Sequence, residues 1–416
     1  MVEQPAVEEP RSSAARLRAG PWSRILIGFV AAAVAIAVAI GSSAADRSTP
    51  GRHDLGVGDE ADPRADREAR GFAPDADAPT GLTPGAPGTS GLAPGAPGER
   101  PADGPVERGP DPLIEVGIAV ADLNALDRFI DRTGVTPDVV DYYHAWADDE
   151  PFDPVFAAEL RRRGVQLKIT WEPWEAFPSG GMGHADQPDY TLQTIIDGDH
   201  DRYLRRWARG VAASDGPVIV RLMHEMNGAW YPWGIGVADN TPERYVAAWR
   251  HVQDVVTTAG ATNIEWEWAP NQLFTGSPAL EPLYPGDDHV DRIGVSGYNW
   301  GGERVGRLHY VWRSFAAAVD PTLDAIAAFT DAPLGVSETG SASVGGERDE
   351  WVAGMFAHAH ERELAFVSYF AMDTQRAWDL LDDPASVAAF VTGFRATRAP
   401  PDAGREPGGT DTLVHR

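Results

Sequence analysis

Two glutamates stand just past apolar, β-rich runs: Glu225 in "VRLMHEMNG" and Glu338 in "GVSETGS". A carboxylate at the buried end of a strand is costly to desolvate unless it is paired or used. Two such groups facing one another suit glycoside hydrolysis with retention. That reaction needs carboxyls about 5 to 5.5 Å apart, one protonating the leaving oxygen and one attacking the anomeric carbon. Two glutamates that are merely ion-paired would give the same sequence pattern. The surroundings of Glu225 favour the chemistry, because "RLMHEMNGAWYPWG" adds Trp230, Tyr231 and Trp233. Sugar rings offer flat C–H faces to such rings, and their hydroxyls require carboxylate and amide partners.

Other chemistries fit less well. A zincin helix needs a second histidine four residues after His224, where Gly228 stands. A serine-hydrolase elbow needs glycine two residues after Ser337, where Thr339 stands. Cysteine is absent, which excludes disulfides and thiolate metal sites and says nothing of compartment. With a formal net charge of -27, the chain is a poor partner for phosphate backbones or anionic lipid, and a neutral or cationic ligand fits better. Lys168 is the sole lysine.

The elements that must position the glutamates can be counted. Candidate strands are "LIEVGIAV", "PDVVDYYHAW", "VQLKITWEPW", "PVIVRLMHEMN", "NIEWEWAPN", "DRIGVSGYNW", "PLGVSETGS" and "LAFVSYFAMD", and helical patterns such as "DLNALDRFIDRTG" and "TPERYVAAWRHVQDVVTTAG" lie between them. This alternation predicts an α/β fold, a (β/α)8 TIM barrel over residues 111–398. A doubly wound open sheet is disfavoured because "GIAVADLN" carries neither a dinucleotide fingerprint nor a P-loop. Barrel sites gather at the C-terminal ends of strands. Those ends supply Tyr142, Tyr143, His144, Trp146, Trp171, Glu172, Trp174, His224, Glu225, Asn227, Trp268, Asn271, Tyr298, Asn299, Trp300, Glu338, Asp373 and Gln375. Trp249 and Trp312, inside helical patterns, read as core.

Outside the barrel, Ile25 to Gly41 forms an uncharged apolar run preceded by Arg11, Arg16, Arg18 and Arg24. It reads as a membrane anchor with residues 1–24 inside, or as a signal-peptide core cut near Ala44 or Ala45; either way the remainder is exported. Residues 42–110, with the repeat "GLTPGAPGTS" then "GLAPGAPGER", read as a disordered linker, and 399–416 as a disordered tail.

At "RLMHEMNGAWYPWG" the chain resembles glycoside hydrolase family 26, chiefly endo-β-1,4-mannanases with some mixed-linkage β-glucanases and β-1,3-xylanases. "ITWEPW", "DRYLRRWARG", "GATNIEWEWAPN", "YPGDDHVDRIGVSGYNWG" and "VSETGSA" follow the same family in order over nearly all of residues 111–398. The resemblance implies Glu225 as general acid/base and Glu338 as nucleophile. It also implies that His224 positions sugar and nucleophile, that Trp230 stacks beside the scissile bond, and that the Tyr298 hydroxyl contacts the nucleophile. Trp171, Trp233, Asn271, Trp300 and His144 are further substrate-binding candidates, with Glu172 and Gln375 behind them. No cofactor or metal is implied, the partner is a mannan-type polysaccharide, and the catalytic domain is expected to be monomeric. Ser296 departs from the acidic residue that some mannanases of the family carry two positions before that tyrosine. Two alternatives stay open: a mixed-linkage β-glucanase or exopolysaccharide-trimming hydrolase, and a catalytically silent surface glycan-binding module.

Overall fold

Strand and helix alternate from Glu115 to Ala396 in the computed structural model, which describes residues 113–176, 184–302, 304–305, 308–374 and 376–398. The apolar run Ile25 to Gly41, the linker, the C-terminal tail and Gln375 lie outside the described residues. None of the described helices is long and apolar enough to cross a membrane. The strands are β1 (Glu115–Ala119), β2 (Val139–Ala145), β3 (Gln166–Glu172), β4 (Val218–Leu222), β5 (Ile264–Trp268), β6 (Arg292–Asn299), β7 (Leu334–Ser341) and β8 (Phe366–Phe370). Each pairs in parallel with its neighbours, and β1 pairs with both β2 and β8, so the sheet closes into the expected eight-stranded barrel.

The helices between strands are α1 (Leu123–Thr133), α2 (Pro154–Arg162), α3 (Leu192–Ile196), α4 (Asp201–Ala212), α5 (Pro242–Thr258), α6 (Phe315–Ala327), α7 (Arg348–Glu361) and α8 (Pro384–Ala396). Their ends follow local chemistry. Asp122 caps α1 by accepting from the Ala125 N–H, and Thr241 caps α5 ahead of Pro242. Helix α5 buries Tyr245, Ala248, Trp249, Val252 and Val256, a stripe at helical spacing turned to the barrel wall. Trp249 is therefore core, as expected. Trp312 lies in the loop before α6, partly buried against the core.

Inside the barrel the filling is charged as well as apolar. Residues of alternate parity along each strand face inward. Lys168, 1% exposed, donates from Nζ to Glu267 Oε1 at 3.0 Å and to the Ser337 carbonyl at 3.1 Å, and lies 3.3 Å from Asp141 Oδ2. Arg292 meets Glu267 at 3.1 Å, Glu115 at 2.7 Å and Glu265 at 3.2 Å, with its guanidinium 3.6 Å above the Phe366 ring. Burial pushes the Glu267 carboxyl up, but Lys168, Arg292 and Arg221 together hold it below the usual range.

One irregularity sits in β7. Between Gly335 and Glu338 this strand advances three residues while β6 advances two, from Gly294 to Ser296; β8 likewise advances two where β7 takes three, from Val336 to Thr339. The extra residue is a β-bulge, which re-aims a side chain that strict alternation would send to the other face. Ser337 donates to Glu267 inside the barrel, and its neighbour Glu338 also points inward, toward the mouth. The bulge requires Gly294 opposite, where an added Cβ would come 1.7 Å from Ser337 Oγ.

Candidate active site

Glu338 leaves the bulged strand at the mouth of the barrel and is almost wholly buried. Donors from three strands converge on it. The Tyr143 hydroxyl, from β2, donates to Oε2 at 2.6 Å, and Arg221 Nη1, from β4, donates to the same oxygen at 2.5 Å. The Tyr298 hydroxyl, from β6, donates to Oε1. Arg221 is itself held, since Nη2 donates to Ser296 Oγ at 2.5 Å and Nη1 lies 3.4 Å from Thr170 Oγ1. Arg221 is fully buried; burial disfavours its charge, but Glu338, Tyr143 and Asp141 overturn that and push its pKa up.

Glu225 follows β4 in a backbone bend where Met223 and Glu225 both take positive φ, 44° and 55°. Non-glycine residues hold such angles only when their surroundings fix them. Here the Glu225 N–H donates to the Ala269 carbonyl at 2.7 Å. The next loop is clamped to the loop after β5, because Asn227 Nδ2 donates to the Asn271 carbonyl at 2.9 Å and Asn227 Oδ1 accepts from the Asn271 N–H at 2.8 Å. Trp230 folds back over Gly228, where an added Cβ would meet the indole at 2.0 Å, and donates from Nε1 to Glu225 Oε2 at 2.8 Å.

The two glutamates differ in their surroundings. Burial first, then the nearby charge of Glu338, pushes the Glu225 carboxyl up to about 7, against the opposing pull of Arg221, Asn271 and Trp230. Glu225 thus keeps its proton near neutrality, beside a carboxylate whose oxygens only accept. One group is placed to give a proton and the other an electron pair.

The remaining expected residues divide. His224 is buried, with Nε2 3.1 Å from the Tyr231 hydroxyl and its ring edge-on to Tyr143 at 6.3 Å. Burial, then the charges of Arg221 and Lys168, pull its pKa well below the ordinary value, so it is neutral. Its Nδ1 and the Asn271 Oδ1 are buried without a protein hydrogen-bond partner, which leaves both free for a ligand hydroxyl. Asn271 otherwise sets its side chain against Glu225. Trp300 lies at the mouth, stacked on Tyr310 at 5.4 Å and edge-on to Trp378 at 5.2 Å. Glu172, also buried there, is raised to about 8 by burial, although Trp174 and Arg221 oppose it.

Three expected cleft residues fall elsewhere. Trp171 points away from the barrel axis, stacks on Trp207 of α4 at 4.0 Å and donates to the Tyr203 hydroxyl. His144 pairs with Trp171 in register and so shares its outward face; burial lowers its pKa to about 4. Trp233 is fully buried, stacked on Tyr231 at 4.4 Å and donating to the His224 carbonyl, so it supports the loop from behind and offers no face to a ligand. Sequence reasoning passed over Arg221 and named Tyr143 among the strand-end residues without singling it out, although Tyr143 shares its parity with the inward Asp141. That parity becomes a signal only once one inward residue of the strand is known.

At the C-terminal mouth of the parallel eight-stranded barrel, then, a raised Glu225 stands with a Glu338 that accepts three hydrogen bonds. Residues 186–315 match the model of Glycosyl hydrolase family 26. The chain is 30% identical over 285 residues to Endoglucanase H of Acetivibrio thermocellus, an alignment covering 67% of this chain and 30% of that protein. It is 32% identical over 97 residues to a mannan endo-1,4-beta-mannosidase of Bifidobacterium adolescentis, covering 22% of this chain and 10% of that one. A GH26 beta-mannanase structure from Bacteroides ovatus shares the fold, with a TM-score of 0.50, 17% identity and coverage of 68% of this chain and 89% of the other. These findings make the barrel similar to glycosyl hydrolase family 26, whose model its residues 186–315 match. The match spans under a third of the length of either curated relative.

Proposed function

We propose that this protein is a retaining, endo-acting β-glycoside hydrolase that cleaves a β-1,4-linked mannan-type polysaccharide by double displacement. The observation that carries the reading is the pairing itself: a buried Glu225 raised to about 7 by burial and by the charge of Glu338, next to a Glu338 held by Tyr143, Arg221 and Tyr298. Glu225 protonates the glycosidic oxygen while Glu338 attacks the anomeric carbon and forms a glycosyl ester. Glu225, now a base, then takes a proton from water, which displaces Glu338. His224 and Asn271 offer buried polar atoms to sugar hydroxyls, and Trp230 and Trp300 offer aromatic surface. No group beyond these side chains is needed for the proton and electron movements.

A second reading, a β-glucan backbone, rests on two observations: the alignment with Endoglucanase H is about three times as long as that with the mannosidase, and Ser296 lies beside Arg221 without adding a carboxylate. Reducing-end release by the full chain from glucomannan, galactomannan, mixed-linkage β-glucan and β-1,3-xylan, with Glu338→Ala as control, separates the two. Release from the mannans alone supports the first reading, release from the glucan alone the second, and product NMR showing the inverted anomer first would refute retention. Release from none of them by folded protein would favour the binding-module alternative. We also propose that Ile25 to Gly41 brings the barrel to the outer face of a membrane; recovery of the full chain only in the cytosolic fraction would rule this out.

A further inference from the structure

Glu338 receives its donors unevenly. Oε2 accepts from Tyr143 and from Arg221, whereas Oε1 accepts from Tyr298 alone. A carboxylate oxygen presents two lone pairs to donors, so Oε2 is fully engaged and Oε1 keeps one pair free. Attack on carbon needs a free pair. We infer that Glu338 attacks through Oε1, and that Tyr143 is a positioning residue which, with Arg221, holds Oε2 as the carbonyl oxygen of the glycosyl ester. This rests on the retaining mechanism proposed above.

The surroundings of Tyr143 fit that task. Its ring is buried in β2, edge-on to His224 at 6.3 Å and to Phe370 at 6.2 Å, so its hydroxyl is fixed from both sides. Arg221 is fixed by Ser296. In the first step the Oε1–carbon bond forms as the bond from carbon to the leaving oxygen breaks, and that oxygen takes the proton of Glu225. In the second, the oxygen of water bonds to the same carbon, Glu225 takes a water proton, and the Oε1–carbon electron pair returns to Glu338. Oε2 keeps its two donors throughout. A donor binds a full carboxylate more strongly than an ester carbonyl. Tyr143 therefore favours the departing carboxylate over the ester, and its weight falls on the second step.

The test uses the full chain with 2,4-dinitrophenyl β-mannobioside and β-cellobioside, whose leaving group needs no acid, so that the second step limits turnover. Tyr143→Phe is expected to lower kcat ~10- to 100-fold, the rate equivalent of one hydrogen bond to a charged acceptor. KM is expected to fall with it, so that kcat/KM changes less than about threefold, and a burst of one dinitrophenolate per active site is expected to precede the slow phase. Burst amplitude counts folded sites, so partial unfolding lowers the amplitude and leaves the slow rate constant unchanged. A crystal of the wild-type chain trapped with the 2-deoxy-2-fluoro analogue is expected to carry the sugar on the oxygen facing Tyr298, with Tyr143 still bonded to the other. The inference is overturned if kcat and kcat/KM fall together with no burst, or if the sugar sits on the oxygen facing Tyr143. A wild-type chain that turns over neither glycoside, or a Glu338→Ala variant as active as wild type, removes the retaining mechanism itself. That outcome differs from one in which wild type turns over normally and only the variant departs from expectation.

Discussion

Buried carboxyls occur in two layers of this barrel, and their company differs. In the interior layer Glu267 touches Lys168 and Arg292, and the surrounding cations hold it ionised despite full burial. At the mouth, no cation among the described residues forms an ion pair with Glu225 or Glu172, and burial raises them to about 7 and about 8. Asp141 lies between: it is close to Lys168, yet burial still pushes it above its ordinary value. A matched buried charge is architecture, and an unmatched one next to a carboxylate is poised to move a proton. Glu338 joins the layers, because its Arg221 partner belongs to the polar interior while its carboxylate reaches the mouth.

The comparison can be broken in order of expected effect. Glu338→Ala should lower turnover of the cleaved polysaccharide by at least ~10⁴-fold, because no group remains to form the covalent intermediate; a loss under tenfold would move the nucleophile elsewhere. Glu225→Ala should cost ~10²- to 10⁴-fold in kcat/KM on polysaccharide and abolish the alkaline fall expected of wild type as pH rises past about 7. A variant that keeps that limb would assign it to another group. Glu267→Gln should act on stability first, by ~3–5 kcal/mol, because it leaves Lys168 and Arg292 facing an uncharged amide. Urea unfolding with a midpoint equal to wild type would show the interior charges to be dispensable.

The smallest effect sharpens the contrast through pH. The folded pKa of Glu225 lies near 7, above its ordinary 4.5, so its contribution to stability is complete below the lower value and is lost as pH rises through the upper one. Glu225→Gln should therefore gain stability relative to wild type between about pH 5 and pH 8 and hold that gain above. A difference that stays flat across this window would mean that the carboxyl is not raised.

The eight strands were legible because apolar and β-branched runs recur between well-capped helices, and so was the position of Glu225 and Glu338 at strand ends. Which residue of a strand faces inward was not legible. Barrel strands are buried on both faces, so hydrophobicity does not mark the axis side. His144 and Trp171 were taken from the outward parity for that reason, and Tyr143, listed one position before His144, was not singled out. The bulge in β7 was hidden too, because it exists only in the pairing with β6 and β8. Nor does the sequence announce that Trp230 lies over Gly228 to reach Glu225, since that contact depends on how the loop folds back.

The interior layer has a practical consequence. Its cation Lys168 is the chain's one lysine and is 1% exposed, sealed between Glu267, Asp141 and the Ser337 carbonyl. The folded barrel therefore shows no side-chain amine to its surroundings. Amine-directed dyes, cross-linkers and coupling resins would find no lysine to modify, and lysine labelling of a sample would report how much of it has unfolded.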